Sequence, residues 1–272
     1  MSERNFKGRR KPKINRQESG LKSLQDKHAT STSDKKEIRL NKFIANAGVC
    51  SRREADKLIA EGLITVNGET VTSVGTKVRL SDKVIYEGKE LNAEKLVYVL
   101  LNKPKNCVTT LSDPHAKHTV IDIVKHACSE RIYPVGRLDK MTTGVLLLTN
   151  DGDLAKRLTH PSHEHRKIYH AFLDKGITQE DLDKIATGFE LEDGFIKSDK
   201  ISLVQGNPME VGVEIHSGKN RIVRRIFKHL GYEVVKLDRV YFSGLTKKDV
   251  PRGKWRFLTS KEITFLKAGI MK

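Results

Sequence analysis

The chain has 272 residues, enough for two modest domains, and its 51 Lys and Arg against 34 Asp and Glu give a formal net charge of +17. That excess calls for a polyanionic partner, nucleic acid ahead of an anionic membrane surface. No apolar run is long enough to span a bilayer, no charged-apolar-small pattern opens the chain, and Cys50, Cys107 and Cys128 are too scattered for a disulfide framework or a zinc site, so a soluble cytoplasmic protein is expected.

Residues 1–36 are rich in Lys, Arg, Ser, Gln and Asn and poor in large apolar side chains. Such a segment is expected to be a disordered basic tail, serving either phosphate attraction or solubility. Residues 37–92 read as a small module. Leu40, Phe43, Ile44 and Ala47 recur at helical spacing, and Gly48 stops the helix. Ser51-Arg52-Arg53-Glu54 is a capping box that starts a second helix, with Ala55, Leu58 and Ile59 as its apolar stripe and Gly62 at its end. Ile64-Thr65-Val66 then meets the hairpin signal Asn67-Gly68, and short strands follow around Val71, Val78 and Ile85. Arg52 and Arg53 sit in a helix's first turn, where the macrodipole disfavours cations; a bound phosphate removes that conflict, and full solvation leaves it small.

Residues 92–95 read as a linker into a larger domain, 95–267. It opens with the strand Leu96–Leu101, ended by Asn102-Lys103-Pro104, and continues through a long basic loop, Val108–Val120, with His115, Lys117 and His118. Gly136-Arg137-Leu138-Asp139-Lys140-Met141-Thr142-Thr143-Gly144 runs into the apolar strand Val145–Thr149, which ends in a predicted Asn150-Asp151-Gly152 turn. A carboxylate in a Gly-flanked loop against a buried strand is placed as reactive groups often are. On pattern alone, a structural turn in which Asp139 pairs with Arg137 accounts for the same residues. His160-Pro161-Ser162-His163-Glu164-His165 lacks metal-site spacing and reads as a loop.

Arg166–Phe172 alternates as a half-buried strand with Tyr169 inward, as a core residue or a site residue. Val211, Val213 and Ile215 alternate as a strand. After a His216–Lys219 turn, Val223, Ile226, Phe227 and Leu230 repeat as a helix for which Asn220 is the expected cap. Arg221, Arg224 and Arg225 crowd that helix's N-terminal half, at a cost of roughly 0.3–1 kcal/mol each, which a phosphate or the Asp139 carboxylate would offset. Val234–Phe242 reads as the edge of a strand pair, and Pro251–Arg256 as a basic turn around Trp255, the sole tryptophan.

GRLDKMTTGVLLLTNDG closely resembles the catalytic motif of the bacterial ribosomal RNA pseudouridine synthases of the RsuA/RluB/RluE/RluF family, and RLNKFIANAGVCSRREADKLIAEGLITVNG resembles the S4-like RNA-binding domain. The likeness extends from about Ile38 to about Leu266 and takes in the family's Lys-x-Tyr motif at Lys167–Tyr169, its Gly-x-Asn-Arg-Gln-Val-Arg-Arg motif at Gly218–Arg225, and its Leu-x-Arg and Pro-x-Gly-x-Trp elements. Ile222 stands where the family usually has Gln, so one polar contact near the site is not carried over.

The resemblance implies an α+β fold: an S4-like domain, then a catalytic domain with a mixed, mainly antiparallel sheet and a central cleft. It implies Asp139 as catalytic carboxylate, Tyr169 against the target base, and Arg224 paired with Asp139. Arg39, Lys42, Arg52, Arg53, Lys57, Arg137, Lys219, Asn220, Arg221 and Arg225 are then the RNA-binding candidates. The partner is ribosomal RNA or a ribosome-assembly intermediate, with large-subunit RNA favoured by the likeness to the RluB branch. Isomerising uridine to pseudouridine breaks the N-glycosidic bond, turns the base and rejoins it through carbon-5. No metal or cofactor is expected for that sequence. The carboxylate serves by covalent capture or by proton removal, and Tyr169 as base or base-positioner. A non-catalytic RNA-binding assembly factor is the alternative; it would have no need of Asp139, Tyr169 and Arg224 together.

Overall fold

The computed structural model describes residues 37–111 and 116–269. The predicted basic tail, and residues 112–115 of the predicted Val108–Val120 loop, lie outside the described residues.

The N-terminal part comprises β1 (Glu37–Arg39), α1 (Leu40–Asn46), α2 (Arg52–Ala60), β2 (Ile64–Val66), β3 (Glu69–Val71), β4 (Lys77–Arg79), β5 (Val84–Tyr86) and β6 (Lys89–Glu90). Both halves of the Ser51/Glu54 capping box form, so α2 starts where the sequence predicts. Asn67 and Gly68 both take positive φ, 52° and 90°, the condition for a tight turn whose twist matches β2 and β3. The two helices bury Leu40, Ile44, Ala55 and Ile59 against Ile64, Val78 and Val84 of the small sheets.

The larger part follows as β7 (Tyr98–Lys103), α3 (Val120–Val124), β8 (Tyr133–Pro134), β9 (Thr143–Thr149), α4 (Gly152–Thr159), β10 (Lys167–Leu173), α5 (Gln179–Thr187), β11 (Phe189–Leu191), β12 (Gly194–Ile196), β13 (Lys200–Val204), β14 (Asn207–Ile215), α6 (Ile222–His229), β15 (Val234–Phe242), β16 (Leu245–Thr246), β17 (Trp255–Phe257) and α7 (Ser260–Ala268). Nine strands form one sheet in the order β13-β14-β10-β15-β9-β7-β17, with β16 on β15 and β8 on β9. Its pairings are antiparallel except β9 with β15. Apolar clusters fill both faces, one around β10, β14, α5 and α6 and two around β7 and β9.

Three expectations change. Val234–Phe242 is the central strand β15, bonded to β10 and β9, rather than an edge. Within it Asp238 is buried and answered by Arg252, Lys247 and Thr143, which lets a charged residue sit in a central strand. Asn150-Asp151-Gly152 is no simple turn: Asp151 accepts from the Leu154 amide at 3.0 Å and caps α4. The third concerns Asn220. The N-cap of α6 is Arg221, left-handed at φ 48° with no side-chain cap bond. The chain reverses at Arg221 itself, so Asn220 falls one residue before the capping position.

The sequence's linker is anchored. The Glu94 amide donates to the Asn46 carbonyl at 3.0 Å, Asn150 donates to the Lys95 carbonyl at 2.9 Å, and Lys42 meets Asp153 at 2.6 Å. These contacts join the helical module to the start of α4.

Candidate active site

The parallel β9–β15 pair sets the site's floor. Thr143 and Gly144 lie opposite Asp238 and Arg239. The backbones come so close that a Cβ on Gly144 would sit 2.1 Å from the Arg239 carbonyl oxygen, which excludes any other residue there. The loop before β9 and the turn after β14 meet above this floor, enclosing a cleft of about 180 Å³ lined by Asp139, Tyr169, Lys167, Arg221 and Arg239 among others.

Asp139 owes its position to a staple beneath it. Lys103, at the end of β7, is fully buried, and its Nζ donates to the carbonyl oxygens of Pro104 (3.2 Å), Asp139 (3.1 Å), Lys140 (3.3 Å) and Thr142 (2.9 Å). Thr109 grips the preceding residue, donating to the Leu138 carbonyl at 2.8 Å and accepting from its amide at 3.3 Å. With its backbone held from below, the loop turns the Asp139 carboxylate outward, 38% exposed, at the lip of the cleft. Burial pushes the Lys103 ammonium down to about 8, an effect that Cys107 and Asp139 partly oppose.

Among the described residues, the cations within 4 Å of the Asp139 carboxylate belong to α6 and its cap rather than being Arg137: Nε of Arg221 at 3.8 Å and Nε of Arg224 at 4.0 Å. The two differ. Arg224 is largely shielded and donates to the Val234 carbonyl at 2.6 Å, and burial pulls its guanidinium below the usual range while Asp139 restores part of it. Arg221 stands more than half exposed. A second cleft joins Asp139 to Val108, Thr109, Arg137, Lys140, Lys219 and Asn220 on the outer side of the same loop.

Tyr169 faces the cleft from β10, packed against the cluster around β14 and α6 and against one of those around β7 and β9. Its neighbour in register is Arg239. Lys167, one step along the same face, donates to the carbonyls of His165 (3.0 Å) and His216 (2.6 Å), and burial first and Arg239 second push it down to about 8.

The remaining cations separate into two groups. Arg39, at the end of β1, and Arg53 and Lys57, on α2, are exposed. Others are engaged: Lys42 with Asp153, Arg52 with the Asn41 side-chain oxygen (3.2 Å and 3.3 Å), Arg225 in a bidentate pair with Asp193 (2.6 Å and 2.9 Å), and Lys219 with the Asp193 carbonyl (2.7 Å). Arg225 and Lys219 thus tie the β11–β12 hairpin to α6, and Arg225 holds the Asp193 carboxyl down at about 2.

A carboxylate flanked by two arginines, facing a tyrosine across a basic cleft, suits capture of positive character on a sugar whose base lies against an aromatic ring. The RNA pseudouridylate synthase family model matches residues 97–229, and the S4 domain model residues 38–84. The chain is 41% identical over 235 residues to ribosomal large subunit pseudouridine synthase B of Bacillus subtilis (strain 168), covering 85% of this chain and 96% of that protein. It is 37% identical over 229 residues to the dual-specificity RNA pseudouridine synthase RluF of Escherichia coli (strain K12), covering 83% and 77%.

The chain belongs to the RNA pseudouridylate synthase family.

A solved pseudouridylate synthase superposes with a TM-score of 0.60 at 30% identity, covering 84% of this chain and 99% of that structure. The protein is therefore an RNA pseudouridine synthase, an isomerase with an S4 domain ahead of its catalytic fold. Among the described residues, no helix is long and apolar enough to cross a membrane.

Sequence reasoning overlooked Lys103 and Arg239 as site residues. Lys103 was read as a strand terminator because three of its four acceptors come from the distant Asp139 loop. Arg239 carried two signals: the Leu-x-Arg element at Leu237–Arg239, and its place in a strand that also holds Val234, Leu237 and Phe242.

Proposed function

We propose that this synthase isomerises a specific uridine of 23S ribosomal RNA, with Asp139 as its catalytic carboxylate. The observation that carries the reading is the cleft that brings together Asp139, Arg221 and Tyr169, with Arg224 4.0 Å from the Asp139 carboxylate. The arginines set positive charge beside the carboxylate that the reaction needs. Tyr169 lies where a flipped uracil would rest and either accepts the carbon-5 proton or positions the ring. Isomerisation has no net redox change and calls for no cofactor. The choice of large-subunit RNA rests on the similarity to the Bacillus subtilis enzyme, and it makes the cytoplasm the place of action.

Residues 37–92 form the RNA-docking domain in this reading and 95–267 the catalytic domain. Arg39, Arg53 and Lys57 offer exposed charge to the RNA backbone, with Arg137, Arg221 and Asn220 at the cleft. Arg52, Lys42, Lys219 and Arg225 would contribute by exchanging an internal partner for a phosphate. The test is to incubate the protein with 23S transcript and with a large-subunit assembly intermediate, then map pseudouridine by carbodiimide modification and primer extension. One new stop in the 23S sequence is expected. Modification of 16S RNA alone would contradict the substrate, and none on any of these RNAs would favour a binding factor.

A further inference from the structure

The chemistry of Asp139 leaves a second charged group of the cleft unused. Arg239 is 3% exposed, set between Gly144 of β9 and Tyr169 of β10. Its Nε donates to the Val145 carbonyl at 2.9 Å, and its guanidinium carbon lies 4.6 Å from the centre of the Phe242 ring. Its Nη2 is buried with no hydrogen-bond partner. Burial lowers its pKa, and what opposes this is the charge of, and a hydrogen bond to, the neighbouring Tyr169 hydroxyl rather than a carboxylate. Lys167 lines the same cleft with its ammonium committed to two carbonyls. The floor therefore holds two cations without a paired carboxylate, while the carboxylate stands at the lip.

A buried, unpaired cation is strongly unfavourable, and its retention in a cleft points to an anion that arrives there. The reaction supplies one. When the bond between ribose C1′ and uracil N1 breaks, its electron pair stays with the base and spreads over N1, O2 and O4. The sugar is satisfied by bonding of the Asp139 carboxylate to C1′, or by loss of its C2′ proton to that carboxylate. On either route the detached base is an anion until its carbon-5 bonds to C1′, which frees the Asp139 carboxylate or takes its proton back to C2′; the now neutral base then loses its carbon-5 proton and gains one at N1.

We propose that Arg239 is a catalytic residue that donates from Nη2 to a uracil carbonyl oxygen and stabilises the base anion formed on glycosidic cleavage. The inference rests on the reading of Asp139 given above. The cleft is then polarised in the sense in which the bond breaks: carboxylate for the sugar, guanidinium for the base. A donor placed in a water-poor site before charge develops contributes about 100–1000-fold in rate.

The test compares single-turnover glycosidic cleavage, read by nuclease digestion and mass spectrometry, in RNA carrying uridine or 5-fluorouridine at the target. The fluorinated base is the better leaving anion and needs less help. Arg239→Met is expected to slow the uridine reaction about 100-fold or more, with a defect on 5-fluorouridine smaller by about tenfold, and unchanged RNA affinity. Equal defects on both RNAs would mean that Arg239 only supports packing, and a wild-type rate would mean that it does nothing; either overturns the proposal. If Arg239→Met does not fold, Arg239→Lys carries the same comparison, with a milder defect and the same dependence on the base. Asp139→Asn run alongside separates the claims. Activity abolished by Asp139→Asn but indifferent to Arg239 overturns only the role of Arg239. Full activity of Asp139→Asn overturns the reading of the whole site.

Discussion

At the scale of single residues, the site depends on a lysine that never needs to touch the substrate. Lys103 Nζ gathers four carbonyl oxygens, three of them from the Asp139 loop. Lys103→Met leaves those oxygens without their donor and is expected to cost about 2–4 kcal/mol in denaturant unfolding and to lower kcat more than it raises KM. Its pH signature has a definite sign. The folded pKa, about 8, lies below the ordinary 10.5. Between these values the unfolded chain binds more protons, so stability rises with pH across that window. Lys167 contributes in the same direction. The rise should therefore shrink, without vanishing, in Lys103→Met; an identical rise in the variant would contradict the assignment. Asp139 was legible in the sequence because its motif is contiguous. Lys103 and Arg239 were not, since their roles arise from partners brought together across the sheet, 36 residues apart for Lys103 and Asp139.

At the scale of elements, helix starts with local chemistry were the most legible features. The Ser51/Glu54 box and the Asn67-Gly68 turn form as their residue types require, because the pairs that close them, Ser51 with Glu54 and Val66 with Glu69, lie three positions apart. α3 was missed because five residues give a periodic pattern too little room, and α4 because its opening Asn150-Asp151-Gly152 reads as a turn. α7 offers a quantitative check. Its box residue Glu262 also accepts a bidentate pair from Arg256, at 2.7 Å and 2.8 Å, and these partners draw its carboxyl down to about 2. Glu262→Gln should cost about 1–2 kcal/mol at neutral pH. The native advantage should be lost as pH falls from about 4.5 toward 2, because only the folded chain keeps the carboxylate ionised there. α6 shows the opposite economy. Arg221 occupies a left-handed cap position with no side-chain cap bond and lies beside Asp139. Arg221→Gly should leave thermal stability equal or higher, since glycine suits that backbone, while turnover falls. A stability loss with unchanged turnover would show that Arg221 serves the fold alone.

At the scale of the molecule, the net charge of +17 is unevenly available. Lys42, Lys219 and Arg225 are paired with Asp153 and Asp193, whereas Arg39, Arg53 and Lys57 are exposed. Composition showed the excess but not this division, which depends on contacts between distant segments. RNA affinity should fall steeply with salt, and Arg53→Ala with Lys57→Ala should flatten the log–log slope by about 1–2, with kcat at saturating RNA unchanged. A slope that stays the same would remove the N-terminal helices from the RNA footprint. The Lys42–Asp153 pair and the Glu94–Asn46 bond attach that surface to the catalytic part, so docking and chemistry share one frame.

The central claim, that Asp139 performs the isomerisation, is tested most directly by tritium release from 23S RNA labelled at uridine carbon-5, with native protein beside Asp139→Asn and RNA binding measured for both. Release by the native protein, none by the variant, and matched RNA affinity are expected. Release by a clean preparation of Asp139→Asn would contradict it.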